Sequence, residues 1–299
     1  MMLTGSMTAL ITPFCNGKID EEAFVRLVEF QIASGTQGLV VCGTTGESAV
    51  MTPDEHFRSV ELCVRTAAGR VPVIAGTGTN DTQKTVKTTL AAQKAGADAV
   101  LIVTPYYNKP SQEGLFRHYR QIHDETDIPV VLYNVPSRTG VNLSVETVGR
   151  LAKLPRIVGI KDATPDILRP IKLRRVTGRD FSILSGEDAT VVAFLAHGGD
   201  GCISVTANIA PQLCRRLHDA WVAKDFDTLF TLRDALLPLH EAMFVESNPC
   251  PVKYAASLQG FGDGSLRAPL CEISDASKQT VRDAMNALGL IGGGANGRT

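Results

Sequence analysis

The chain reads as an α/β protein, a (β/α)8 TIM barrel with a C-terminal helical extension. Three observations predict this. Eight short apolar runs, rich in Val, Ile and Leu and without polar alternation, recur before residue 206. Parallel strands covered on both faces have that composition. Successive runs start roughly 20–30 residues apart, enough for one strand, one helix and two short loops. The segments between them carry helix-start and helix-stop signals, giving the alternation of an eightfold barrel. A doubly wound open sheet would need a glycine-rich phosphate turn after the first strand, and Thr12-Pro13-Phe14-Cys15-Asn16-Gly17 is not one.

In chain order, strands are expected at Thr8–Ile11, Gly38–Cys42, Val71–Ala75, Ala99–Val103, Val130–Tyr133, Ile157–Lys161, Phe181–Ser185 and Gly201–Val205. The first helix follows Asp20. Phe24, Leu27, Val28 and Ile32 share one face, and Glu21 and Glu22 suit the positive end of the helix dipole. Thr52-Pro53-Asp54-Glu55 is a capping box with proline in the first turn. Ser111 and Ser144 are expected N-caps, and Gly35, Gly69 and Gly96 follow helical stretches as stops. Beyond Val205 the chain is too long for a last helix alone. Pro211–Ala223, Asp225–Met243, Pro251–Gln259 and Ser274–Leu288 read as helices. The expected division is a barrel over 1–224 and an extension over 225–299, whose tail Gly292-Gly293-Gly294-Ala295-Asn296-Gly297 should fray.

Composition narrows the function classes. The 299 residues are 44% hydrophobic and 20% charged with a formal net charge of −1, ordinary for a globular protein with a large core. There is no basic block or aromatic–basic stripe, so nothing favours nucleic acid or an anionic membrane. No apolar run approaches the roughly 20 residues needed to span a bilayer. The start, Met1 to Phe14, has no basic region ahead of its short apolar stretch, which argues against a signal peptide. Seven scattered cysteines with no Cys-x-x-Cys pair suit a reducing compartment, and a cytoplasmic location is expected.

Lys161 is the residue that organises the chemistry. It ends the run Ile157-Val158-Gly159-Ile160. A lysine closing a buried strand holds its ammonium in a poor solvent for charge, which favours the neutral amine, a nucleophile for carbonyl groups. Taken alone, such a lysine would snorkel to water with its stem on the barrel rim. Its company argues otherwise. In barrels of this class the reactive groups gather at the C-terminal ends of strands. Those ends supply Thr44, Thr45 and Glu47 from the second strand, and Tyr106 and Tyr107 from the fourth. The fifth gives Tyr133, Asn134 and Arg138, the sixth Lys161, and the seventh Gly186 and Glu187. An amine, phenols, hydroxyls and a guanidinium sharing one mouth suit imine chemistry on an anionic carbonyl compound. Metal-assisted aldol chemistry fares worse, because the six histidines show no paired ligand spacing. No metal and no cofactor are expected, since the imine itself is the electron sink.

Three segments carry a family resemblance: Gly43-Thr44-Thr45-Gly46-Glu47-Ser48, Tyr133-Asn134-Val135-Pro136-Ser137-Arg138-Thr139-Gly140 and Gly159-Ile160-Lys161-Asp162-Ala163-Thr164. The chain resembles the dihydrodipicolinate synthase family from about Leu3 to about Leu290. The wider pyruvate-dependent aldolase superfamily includes N-acetylneuraminate lyase. A sibling aldolase acting on a sugar acid is therefore the alternative, which Arg138 disfavours because those lyases usually lack it. A catalytically dead barrel would have lost one of these residues, and none is missing.

The resemblance implies that Lys161 forms an imine with pyruvate and that the derived enamine adds to the aldehyde of aspartate 4-semialdehyde. Tyr133 would shuttle protons, linked through Thr44 to Tyr107 of a neighbouring subunit. Thr45 would hold the pyruvate carboxylate, Arg138 the acceptor's carboxylate, and Gly186 and Ile203 would line the site. The implied assembly is a homotetramer built as a dimer of dimers. The resemblance also implies a lysine-binding regulatory pocket at an interface, matched here by Ser48, Ala49, His56, Asn80 and Tyr106. Two positions depart from it. Pro53 stands where lysine-inhibited relatives have a histidine, and Lys84 replaces the glutamate that receives lysine's ammonium. Inhibition by lysine is therefore expected to be weak or absent.

Overall fold

The structure, a computed structural model, describes residues 1–292. The glycine-rich segment expected to fray lies outside the described residues from 293 onward. Eight parallel strands close a barrel: β1 Gly5–Ala9, β2 Leu39–Val41, β3 Val73–Gly76, β4 Ala99–Val103, β5 Val130–Asn134, β6 Ile157–Asp162, β7 Ser182–Ser185 and β8 Gly201–Ser204. Each strand pairs with its neighbours in chain order, and β8 returns to β1 through Gly5↔Gly201 to Thr8↔Ser204. Eight helices follow the strands: α1 Glu21–Ala33, α2 Pro53–Ala67, α3 Thr82–Lys94, α4 Gln112–Glu125, α5 Val145–Leu151, α6 Arg169–Thr177, α7 Val191–Ala196 and α8 Pro211–Ala223. The extension adds α9 Phe226–Ala242, α10 Cys250–Leu258 and α11 Asp275–Ala287.

Continuous apolar strands give the molecule two cores. Met7, Ala9, Val40, Ile74, Leu101, Val131, Leu184 and Ile203 fill the barrel interior. The alternate residues, among them Val41, Ala75, Ile102, Leu132 and Ile160, pack outward against the helices. A strand covered on both sides has no polar face to show, which explains the missing alternation. The expected caps are present. Thr52 and Glu55 form the reciprocal capping box, Ser111 accepts from Gly114 N–H, and Ser144 accepts from Thr147 N–H.

Two local differences have clear causes. The first strand pairs over Gly5–Ala9 rather than Thr8–Ile11. Leu10 and Ile11 are both buried; Leu10 N–H makes a last bond to the Val40 carbonyl at 2.9 Å, but Ile11 has left the ladder and its N–H donates instead to Asn208 Oδ1 at 2.9 Å. Hydrophobicity marks burial, not pairing. A two-stranded ribbon, Phe14–Cys15 with Lys18–Ile19, also follows β1. It is too short to register as an apolar run.

The sixth strand carries a bulge. Val130 pairs with Ile157 but Val131 pairs with Gly159, leaving Val158 as the extra residue. Past the bulge the register is regular, with Tyr133↔Lys161 and Asn134↔Asp162. Gly159 is required there, since a Cβ would lie 2.7 Å from the Ser182 carbonyl oxygen. The extension is not a free appendage: α9 packs on α8 and α11, and α10 packs on α11 and on the Thr206–Asn208 turn.

Candidate active site

Lys161 and Tyr133 are neighbours on adjacent strands, and both belong to the barrel mouth. Lys161 is 6% exposed, and its Nζ stands 4.7 Å from the centroid of the Tyr133 ring. The electron-rich ring face gives the ammonium a partner that is not an anion. Gly186 follows β7 and makes room for the lysine stem. A side chain there would meet Lys161 Cε at 3.0 Å and Ala163 Cβ at 2.7 Å. Leu184 and Ile203 belong to the same apolar interior as Tyr133.

The residue after the lysine is firmly anchored. Asp162 accepts from Asn134 Nδ2 at 3.1 Å, from Thr164 Oγ1 at 2.6 Å and from Arg169 Nε at 2.5 Å. Both members of the Asp162–Arg169 pair are buried. A charged side chain with that many donors fixes the end of β6, and with it the backbone from which Lys161 projects. Just past the next strand, Glu187 N–H donates back to Ser185 Oγ at 3.0 Å. Burial, and to a lesser degree the Asp188 carboxylate, push the Glu187 carboxyl above the usual range, while the Ala189 N–H and Lys161 oppose the rise.

The second wall is the loop after β2. Cys42 turns with φ 55° and Glu47 adopts a left-handed φ of 57°, so the chain doubles back over Thr44 and Thr45. Thr45 is buried and its Oγ1 accepts from Asn248 Nδ2 at 3.1 Å. Thr44 is half-buried. Among the described residues, neither its hydroxyl nor that of Tyr133 has a hydrogen-bond partner within the chain. Arg138 lies on a one-turn helix, Pro136–Thr139, and its Nη2 donates to the Asn248 carbonyl at 3.2 Å.

Tyr106 and Tyr107 leave β4 on an exposed turn, and Tyr107 is 89% exposed with φ 71°. A single chain therefore brings Lys161, Tyr133, Thr44, Thr45, Gly186 and Ile203 to the mouth, with Arg138 on its rim and Tyr107 turned to solvent. The residues matched to a regulatory pocket are dispersed in environment. Ser48 and Asn80 are half-buried, and Ala49 and Lys84 are exposed. His56 is buried with Nε2 already engaged by the Gly76 carbonyl at 2.7 Å, and burial lowers its basicity. Lys84 occupies the first turn of α3, where its N–H donates to the capping Asp81 at 3.0 Å.

Sequence reasoning missed two contributors from the extension, Asn248 and Lys253. Asn248 bridges Thr45 and Arg138. Lys253 is 1% exposed and pairs with Glu47 at 2.5 Å. One signal was available: Lys253 interrupts the otherwise uncharged helix Cys250-Pro251-Val252-Lys253-Tyr254-Ala255-Ala256.

A closed parallel barrel with a buried amine at the C-terminal end of one strand defines a barrel enzyme whose chemistry sits in its mouth. The particular family follows from comparison. The chain belongs to the dihydrodipicolinate synthetase family, whose profile matches residues 2–288. It is 56% identical to a 4-hydroxy-tetrahydrodipicolinate synthase of Rhodospirillum centenum, over 97% of this chain and 100% of that one. It superimposes with a TM-score of 0.94 on a chloride-inhibited dihydrodipicolinate synthase from Acinetobacter baumannii complexed with pyruvate, at 43% identity over 97% of this chain and 100% of that one. The enzyme of Cyanidioschyzon merolae with lysine bound gives a TM-score of 0.94 at 36% identity, over 97% of this chain and 100% of that one.

Proposed function

We propose that this chain is a 4-hydroxy-tetrahydrodipicolinate synthase, a lyase that condenses pyruvate with L-aspartate 4-semialdehyde in lysine and diaminopimelate biosynthesis. The observation that carries the reading is Lys161, buried in the barrel mouth against the Tyr133 ring. The Lys161 amine attacks C2 of pyruvate and water leaves, giving the imine. Loss of a C3 proton gives the enamine, whose C3 adds to the aldehyde carbon of the acceptor. Tyr133 supplies and removes protons at these steps, through Thr44 and a Tyr107 from a second subunit. The acceptor's amino nitrogen then attacks the imine carbon, closes the ring and releases Lys161. Thr45 holds the pyruvate carboxylate, and Arg138 takes the acceptor's carboxylate with the planar fork suited to that task. Gly186 and Ile203 line the pocket.

We further propose a homotetramer assembled as a dimer of dimers. Two separate exposed apolar patches support two interfaces: Tyr106 with Tyr107 after β4, and Ile167, Leu168 and Ile171 at the start of α6. The proposed boundary between barrel and extension falls after Lys224, a reading supported by the left-handed cap with which that residue closes α8. The seven unpaired cysteines support a reducing compartment, and the proposed location is the cytoplasm. The test is a coupled assay in which the next enzyme of the pathway reduces the product. Turnover is expected with pyruvate and aspartate 4-semialdehyde. Turnover confined to a sugar aldehyde acceptor would replace the reading with that of a sugar-acid aldolase.

A further inference from the structure

Among the described residues, the most heavily buried charge pair joins the extension to the active-site loop. Lys253 Nζ lies 2.5 Å from Glu47 Oε1, with side chains 2% and 0% exposed. The Lys253 ammonium is also 4.1 Å from the Phe14 ring centroid, and the Arg267 guanidinium 4.3 Å from it. Arg267 N–H donates to the second Glu47 oxygen at 3.1 Å, and its guanidinium pairs bidentately with Glu55 at 2.7 and 2.5 Å. Both oxygens of Glu47 are thus held from the extension, while its backbone sits in the left-handed region that a residue with a Cβ adopts at a cost.

A buried ion pair is a poor device for stability, because size-matched neutral residues often serve as well or better. Its consequence here lies in where it pulls. Glu47 is two residues from Thr45, and Thr45 Oγ1 is itself held by Asn248, which precedes the helix bearing Lys253. The short segment from Asn248 into α10 therefore grips the loop Gly43–Ser48 at two points, through Asn248 and Lys253, and the Asn248 carbonyl steadies Arg138 as well.

We infer that Lys253 is a positioning residue for the pyruvate carboxylate. It acts through Glu47 to hold the Thr44–Thr45 turn at the mouth in its binding geometry. This rests on the reading of Thr45 as the pyruvate subsite. The extension is then part of the substrate site, although Lys253 touches no reacting atom.

The test compares the wild type, Lys253→Met and the neutral pair Glu47→Gln/Lys253→Met. The single variant strands a buried carboxylate and should lose thermal stability, whereas the neutral pair should recover it. Both should raise the KM for pyruvate on the order of tenfold with kcat nearly unchanged, the pattern of lost ground-state binding. The pyruvate concentration giving half-maximal borohydride trapping should rise by the same factor. Should the single variant fail to accumulate folded, the neutral pair alone decides. A neutral pair with wild-type melting temperature and wild-type pyruvate KM would overturn the positioning role while leaving the imine reading intact. A wild-type protein that pyruvate and borohydride do not label would remove the imine reading, and the positioning role with it.

Discussion

Tyr107 gives the most quantitative prediction about assembly. Within one chain it is 89% exposed and holds a left-handed φ of 71°. An aromatic side chain of about 200 Å² left almost bare forgoes about 4 kcal/mol of burial, as an upper bound. The backbone conformation costs a further ~1 kcal/mol or more. The proposed second subunit would cover the ring and use its hydroxyl, offsetting both costs. The perturbation is a pair of inactive homomers, Tyr107→Phe and Lys161→Ala, dissociated and remixed. Random reassociation makes about half of the dimers mixed, and each mixed dimer has one wholly native site of two, so about one quarter of wild-type turnover per chain should return. Native mass spectrometry establishes the mixed dimers and the coupled assay reads the turnover. Mixed dimers with no recovered activity would show that Tyr107 does not serve a neighbour's site.

Arg138→Ala should still trap pyruvate while losing about one to two decades in kcat/KM for aspartate 4-semialdehyde, the scale of a lost charged hydrogen bond; unchanged acceptor kinetics would end that role. Lysine should inhibit weakly or not at all, because in the regulatory pocket the resemblance implies Lys84 would set a like charge against its ammonium, worth about 1 kcal/mol at about 4 Å in water. Lys84→Glu should restore part of the inhibition in a lysine titration of turnover, and strong inhibition of the unaltered enzyme would contradict the argument. Burial drives the His218 imidazole down to about 4 from 6.5, against the smaller upward pull of Asp188 and Asp219, with Arg215 adding to the fall. The unfolded chain then takes a proton that the folded one refuses, so stability falls as pH drops from 6.5 toward about 4, by about 3 kcal/mol at most. Burial also lowers His118, His56 and His240, so His218→Gln should lessen, without abolishing, the fall in melting temperature between pH 7 and 5, and an unchanged slope would exclude His218 as a contributor.

The barrel was legible because its signals are local. Each buried strand announces itself as an apolar run, and Thr52, Ser111 and Ser144 mark helix starts through hydrogen bonds that span only three residues. The site's central pair was legible for a related reason: Lys161 and Tyr133 each end a run, and the topology places strand ends together. The bulge at Val158 was only half readable: Gly159 inside an apolar run marks an irregularity or a close backbone approach, but not which residue is the extra one. The grip of the extension on the loop was hidden for a different reason. Lys253 and Glu47 are 206 positions apart, and only the closed barrel with α10 laid across it brings them together. A lone lysine in an apolar helix signals that something pairs with it, but not what.

The central claim is that Lys161 is the amine that captures pyruvate. Borohydride reduction in the presence of pyruvate, followed by mass spectrometry of the proteolysed chain, tests it most directly. The account predicts one adduct per chain on the peptide carrying Lys161, with the mass of pyruvate less one water plus two hydrogens. The adduct should be absent from a folded Lys161→Ala variant. An unlabelled wild type, or an adduct that persists in Lys161→Ala, would contradict it.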